Sequence, residues 1–221
     1  MKAVILAAGE GARMGPFTAS VPKVMIPVGN RPLLEYVVQA LAENGVRDLI
    51  FVVGYRRERI QSHFQDGKAF GAHITYVTQT KQLGTAHAIW EARGHLEDPF
   101  IVLNGSNMVD ARFVEDLLAA APKPAVLITQ SERPQSYGVV TVRGKELVAI
   151  TEKPAEVISN LINTGPTSST LGSSTRSSAS RRRERMICRV PSRPWPSAPP
   201  WRPFSPKARG STRSTLGTCS V

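Results

Sequence analysis

The sequence predicts an α/β domain with a mixed, mostly parallel sheet over residues 1–165, truncated and followed by a disordered tail. Three observations carry this. Continuous apolar runs, KAVILA, DLIFVVG and PFIVLNG, have the pattern of strands buried on both faces. Amphipathic stretches of helical period separate them, as right-handed βαβ units require. From Pro166 onward Ser, Thr, Arg and Pro dominate, and neither period persists.

The first strand, residues 2–7, ends at Ala8-Gly9 and opens into a Gly/Pro-rich loop. Pro32 then opens a helix in which Leu33, Leu34, Val37, Val38 and Leu41 recur on one face, and Gly45 stops it. After DLIFVVG the pattern predicts a helix near Glu58–Gln65, a strand His73–Thr78 and a helix Thr85–Arg93 with Trp90 in its core. The strand PFIVLNG and a helix near Ala111–Ala120 follow. AVLIT, GVVTV and ELVAIT read as shorter strands, the last two joined by a hairpin-like turn at Arg143-Gly144-Lys145.

Charge divides the chain at the same place. Of a formal net charge of +11, Pro166–Val221 supplies ten, holding eleven Lys/Arg against the single acid Glu184. The strongly basic balance therefore describes the tail, and residues 1–165 carry no surplus that would mark nucleic acid as a partner. Cys188 and Cys219 also lie in the tail, which leaves 1–165 without disulfides or cysteine-ligated metal. The opening apolar run is too short for a signal peptide or a membrane span, so the expected location is cytoplasmic with no membrane partner. His63, His73, His87 and His95 show no metal-ligand spacing and read as structural or surface residues.

The loop after the first strand carries the chemistry: LAAGEGARMGPFTASVPKVMIPVGNRPLLEY. Gly9 and Gly11 allow backbone N–H groups to approach an anion, and Arg13 and Lys23 add two fixed positive charges. Such a set suits a polyphosphate. A dinucleotide fingerprint fails on spacing, because the next glycine is Gly15, Pro16 follows it, and the second strand ends Val53-Gly54 without an acid. An ordinary glycine-rich turn with solvated charges would be the better reading of a lone GxG.

The loop is not alone, for from Leu6 to Tyr36 it resembles the signature of the sugar-1-phosphate nucleotidylyltransferases, of the glucose-1-phosphate thymidylyltransferase and N-acetylglucosamine-1-phosphate uridyltransferase type. That resemblance implies the Rossmann-like nucleotide-diphospho-sugar transferase fold. It assigns Arg13 and Lys23 to the triphosphate, and Ala7, Ala8, Gly9 and Gly11 to the nucleotide pocket. Gln79 in TQTKQLGTAHAI stands where the family reads the base, and Gly84-Thr85 where it turns against base and ribose. Singly, Gln79 would be a surface polar residue and Gly84-Thr85 a helix start; order and spacing favour the family roles. Gly138, Glu152 and Asn163 fall in the family's sugar-side segments, each with an equally plain structural reading.

The implied reaction joins UTP or dTTP to a sugar 1-phosphate, giving a nucleotide-sugar and pyrophosphate, with Mg²⁺ between the phosphates. Two departures bear on it. PFIVLNG should end in Gly-Asp, the aspartate holding Mg²⁺, but the residue is Ser106, and Asp110 is too far on to substitute. The family's late metal-ligand segment is also missing. Loss of one nucleotide near Gly165 would explain this, since shifted codons for Pro166–Arg176 and Gly210–Thr218 can encode family-like segments. The rival is a genuine basic arm at RRRER. On function the rival is a catalytically dead nucleotide-binding subunit that regulates a partner.

Overall fold

The computed structural model describes residues 1–120, 124–169, 186–187 and 217–220. Strands β1 (Lys2–Ala7), β4 (Asp48–Val53), β5 (His73–Thr78) and β6 (Phe100–Asn104) are parallel and lie side by side in the order β6-β1-β4-β5. Their register is continuous, with Lys2 through Ala7 opposite Asp48 through Val53. Between β1 and β4 come the two-residue strands β2 (Pro27–Val28) and β3 (Arg31–Pro32), paired as a small hairpin, and helix α1 (Leu33–Glu43). Helices α2 (Arg57–Phe64), α3 (Thr85–Glu91) and α4 (Ala111–Ala120) complete the crossovers.

The two-sided burial read from the apolar runs is met residue by residue. Ala3, Ile5 and Ala7 of β1 pack with Val37, Leu41, Phe51, Ile60, Leu103 and Leu117 beneath α1, α2 and α4. Val4 and Ala8 face the other way, with Ile50, Val52, Ala88, Phe100 and Val102 beneath α3. Each fully buried Leu, Ile or Phe contributes roughly 1.5–3 kcal/mol of transfer free energy. In α1 the predicted stripe is buried at Leu34, Val37, Val38 and Leu41. On its outer side Glu35 binds Arg31 at 2.8 Å and His63 at 3.0 Å. Partial burial alone would raise its pKa, but the hydrogen bonds from Arg31 and His63 hold it below the usual value.

The second half of the sheet is antiparallel. β7 (Ala125–Gln130), β8 (Gly138–Arg143), β9 (Glu146–Glu152) and β10 (Leu161–Ser169) follow in chain order. β10 inserts between β6 and β7 and is antiparallel to both. The β8–β9 turn is the predicted one, with Arg143 opposite Glu146. Short strands β11 (Met186–Ile187) and β12 (Gly217–Ser220) pair with β9 and β7.

Two readings change. Strand periodicity is lost at Pro166 in the sequence, yet β10 runs to Ser169, with Ser168 buried between Ile101 and Ala125. The open edges of β6 and β7 supply backbone partners there, and ladder hydrogen bonds override the poor composition. Trp90 is half exposed rather than in the core, lying 4.5 Å from the Arg93 guanidinium. Its helix turns that face outward because Ala88 and Ala92 occupy the buried stripe. The disordered and out-of-frame reading of the tail falls, apart from the three described strands, outside the described residues. Among the described residues no helix is long and apolar enough to cross a membrane.

Candidate active site

In β5-β4-β1-β6 the strand order reverses at β1, and the crevice beyond the carboxyl ends of β1 and β6 is where open α/β sheets bind ligands. A cleft of about 870 Å³ opens there. Leu6 and Asn104, paired in register, form its floor, and Gly105 N donates to Leu6 O at 3.0 Å. Thr85, Ser106, Tyr137, Gly138, Glu152, Asn163 and Gly165 line its walls. Four expected site residues from four separate segments, Thr85, Gly138, Glu152 and Asn163, thus meet around one space, with Ser106 beside them.

Two other expected residues, Ala8 and Gln79, approach one point, Gly54, where a Cβ would meet Ala8 O at 2.9 Å and Gln79 O at 3.2 Å. Ala8 O accepts from Tyr55 N at 3.1 Å and from Gln82 Nε2 at 3.1 Å. Gln79, 5% exposed, sits at the end of β5, and its Nε2 lies 3.1 Å from Gly84 O and 3.1 Å from His87 Nδ1. Gly84 (φ 96°) precedes the first residue of α3, Thr85. Gly11 adopts φ 69°, and a side chain there would meet Lys23 Cβ at 2.9 Å and Thr18 Cγ2 at 3.2 Å. The aliphatic stem of Lys23 therefore lies across the loop backbone, and Thr18 Oγ1 closes the loop on Gly11 O at 3.2 Å. Arg13 is in the turn Ala12–Met14, and its side chain lies outside the described residues. Gly9, Gly11, Lys23 and Gln79 are not part of the cleft wall.

At Gly138, Glu152, Asn163 and Gly165, register does the positioning. Gly138 stands opposite Glu152 in β8–β9, and a Cβ at Gly138 would meet Glu152 Oε2 at 3.1 Å. β10 carries an irregularity between Asn163 and Thr167, which turns Asn163 and Gly165 into the cleft. Asn163 Oδ1 accepts from Gly165 N at 2.8 Å, so its amide nitrogen is the group it offers outward. Gly165 (φ 105°) passes so close to Asn104 and Asn107 that a Cβ would lie 2.8 and 3.0 Å from their amide nitrogens. Glu152 is exposed, with Lys153 Nζ at 3.6 Å.

A family model for nucleotidyl transferases matches residues 2–167. The chain belongs to the nucleotidyl transferase family. It is 36% identical over 171 residues to the UTP–glucose-1-phosphate uridylyltransferase AglF of Haloferax volcanii, covering 75% of this chain and 70% of that protein. It is also 36% identical over 168 residues to the bifunctional protein GlmU of Methanococcus maripaludis. A glucose-1-phosphate thymidylyltransferase of Streptomyces griseus is 36% identical over 171 residues. The chain spans 39% of that GlmU and 48% of the thymidylyltransferase. In three dimensions it resembles a putative glucose-1-phosphate thymidylyltransferase from Bacillus anthracis in complex with a sucrose. The TM-score is 0.70 at 28% identity, over 76% of this chain and 70% of that one.

The nucleotidyl transferase resemblance implies Mg²⁺, and the residues at the implied position do not fit it. Ser106 offers a neutral hydroxyl beside Asn107 and lacks the negative charge with which one or two carboxylates ordinarily hold Mg²⁺. Asp110 is committed elsewhere: both its carboxylate oxygens bind the Arg112 guanidinium, at 3.0 and 2.8 Å, and Oδ1 accepts from Arg112 N. The side-chain bonds to Arg112 hold its pKa below the usual value despite partial burial. Among the described residues no three His, Cys, Asp or Glu side chains converge.

Several contributors were not read from the sequence. Gln82 and Asn107 act through backbone, Asn107 Nδ2 donating to Thr164 O at 2.8 Å. Their only signal was position, three residues after Gln79 and Asn104. His87, read as structural or surface, touches Gln79.

Proposed function

We propose that this chain binds UTP or dTTP together with a sugar 1-phosphate, and that its reaction is nucleotidyl transfer slowed by Ser106. The observation supporting this is the convergence of Thr85, Gly138, Glu152 and Asn163 on one cleft at the strand-order reversal, where Leu6 of β1 lies in the floor one residue before the end of that strand.

In the reaction an oxygen of the sugar phosphate attacks the α-phosphorus of the nucleotide. The new O–P bond forms as the bond to the β-phosphate oxygen breaks, and pyrophosphate leaves with that electron pair. No covalent enzyme intermediate is needed. The work of the chain is positioning and charge. Lys23, held across the loop at Gly11, and Arg13 neutralise the departing pyrophosphate. Backbone N–H groups of Gly9 and Gly11 hold phosphate oxygens. Gln79, Gly84 and Thr85 receive base and ribose. Glu152 accepts from sugar hydroxyls, the Asn163 amide nitrogen donates to one, and Gly138 leaves the ring room.

A second reading, a binding subunit without turnover, draws on Ser106 and on Asp110 being tied to Arg112. Pyrophosphate release from UTP or dTTP, glucose 1-phosphate or N-acetylglucosamine 1-phosphate and Mg²⁺ separates the two. Slow release that rises on the order of a hundredfold in Ser106→Asp supports the first reading. Calorimetric binding of UTP with no release from either protein supports the second. Absence of nucleotide binding sinks both.

A further inference from the structure

Gln79 would ordinarily offer a base both a donor and an acceptor, because its amide carries an NH₂ group and a carbonyl oxygen. Here the NH₂ is already used. Gly84 O, 3.1 Å away, is a carbonyl and can only accept, so the nitrogen rather than the oxygen of the Gln79 amide must face it. The second amide hydrogen points to His87 Nδ1 at 3.1 Å, which must accept it. Accepting at Nδ1 places the imidazole hydrogen on Nε2, and that nitrogen lies 3.2 Å from Glu91 Oε1, a carboxylate that accepts it. Every contact in the chain Glu91–His87–Gln79–Gly84 is satisfied by one arrangement of hydrogens. Gln79 is 5% exposed, so its amide has little solvent to compensate for a rotated state.

We propose that His87 is a positioning residue that locks the Gln79 amide so that only its carbonyl oxygen is presented to the nucleotide base. This rests on the reading of Gln79 as the residue facing the base. A ligand base must then bring an N–H donor, as the imide N3–H of uracil or thymine does. The proposal contradicts the two-point pairing that a free glutamine amide would allow. Glu91 acts at one further remove, fixing the ring that fixes the amide.

Two measurements test it, the first without any ligand. In ¹⁵N-labelled full-length protein, the His87 ring resonances should show an unprotonated Nδ1 and a protonated Nε2. Both Gln79 side-chain amide protons should exchange slowly. A protonated Nδ1, or fast exchange of both protons, overturns the lock whatever the protein binds. The second is calorimetry with UTP. His87→Leu should weaken UTP about five- to tenfold, the loss of one hydrogen bond. His87→Asn, whose Oδ1 restores an acceptor near the Nδ1 position, should recover most of that loss. N3-methyl-UTP should bind wild type at least about tenfold more weakly than UTP. Equal UTP affinity in wild type and His87→Leu overturns the proposal, as does N3-methyl-UTP binding as tightly as UTP. Should wild type bind no UTP, the base-facing role of Gln79 fails, and the ring and amide resonances alone then decide the His87 lock.

Discussion

The parallel and antiparallel halves of this sheet are walled differently. β1, β4 and β6 have a full helical layer on one face and α3 on the other, so Phe51, Leu103 and Ile101 are completely buried. In the antiparallel half a small cluster, Val126, Ile128, Val140 and Leu161, does the same work. β9 is largely open, with Val148 53% and Ile150 43% exposed. Leu6 and Asn104 of the cleft floor thus sit on strands packed on both faces, while Gly138, Glu152, Asn163 and Gly165 are held by register and hydrogen bonds. Precision is reached by two routes, packing on one side and strand pairing on the other.

The same substitution in each half puts this contrast to measurement. Leu103→Ala should cost about 4–5 kcal/mol in urea unfolding, and Leu161→Ala only about 2 kcal/mol, because the thinner wall can collapse on the cavity. Equal losses would break the comparison. Gly165→Ala probes the route by register. Its positive φ and the contacts with Asn104 and Asn107 should cost about 1–3 kcal/mol. Glucose 1-phosphate binding should fall by a larger factor than UTP binding.

Alkaline pH probes the outer edge of the parallel half. The Tyr76 hydroxyl donates to Gln65 O at 2.7 Å, and desolvation, with the nearby charge of Asp66, pushes its pKa up from 10.0 to about 12. The folded state thus favours the protonated phenol. Its contribution is complete below pH 10 and is lost as pH rises from 10 toward 12, where only the unfolded chain ionises freely. Urea midpoints should fall across that window, and the fall should be shallower in Tyr76→Phe. Trp90→Ser is the smallest change, at most about 1 kcal/mol, since it removes an exposed contact with Arg93. A loss as large as that of Leu161→Ala would return Trp90 to the core.

What could be read from the sequence follows the same division. Strands buried on both faces announce themselves as unbroken apolar runs, and β1, β4 and β6 fell where those runs did. α1 was legible because proline, stripe and glycine agree. The end of β10 was not, because Pro-Thr-Ser-Ser has no apolar period and is a strand only through its neighbours. Thr85, Gly138, Glu152 and Asn163 were placed by order along the chain, and the structure brings them to one cleft. What no spacing could show is which hydrogen-bonding atoms are already used, as at Gln79, Asn163 and Asp110. That depends on contacts between segments far apart in sequence.

The central place of β10 also governs how this sheet must assemble. Val102 finds its antiparallel partner only at Thr167, after α4, β7 and the β8–β9 hairpin have been made. A chain emerging from the ribosome can form β1, β4, β5 and β6 early, since their contacts lie within its first hundred or so residues. It then carries an unpaired edge on β6 until Leu161–Ser169 arrives, and contacts of such sequence separation are slow to close. Of the strands that line the cleft, β10 is the last to be made, and it joins the cleft's two halves. The cleft is therefore complete only late in the life of the chain, and the open β6 edge is the point at which misassembly would begin.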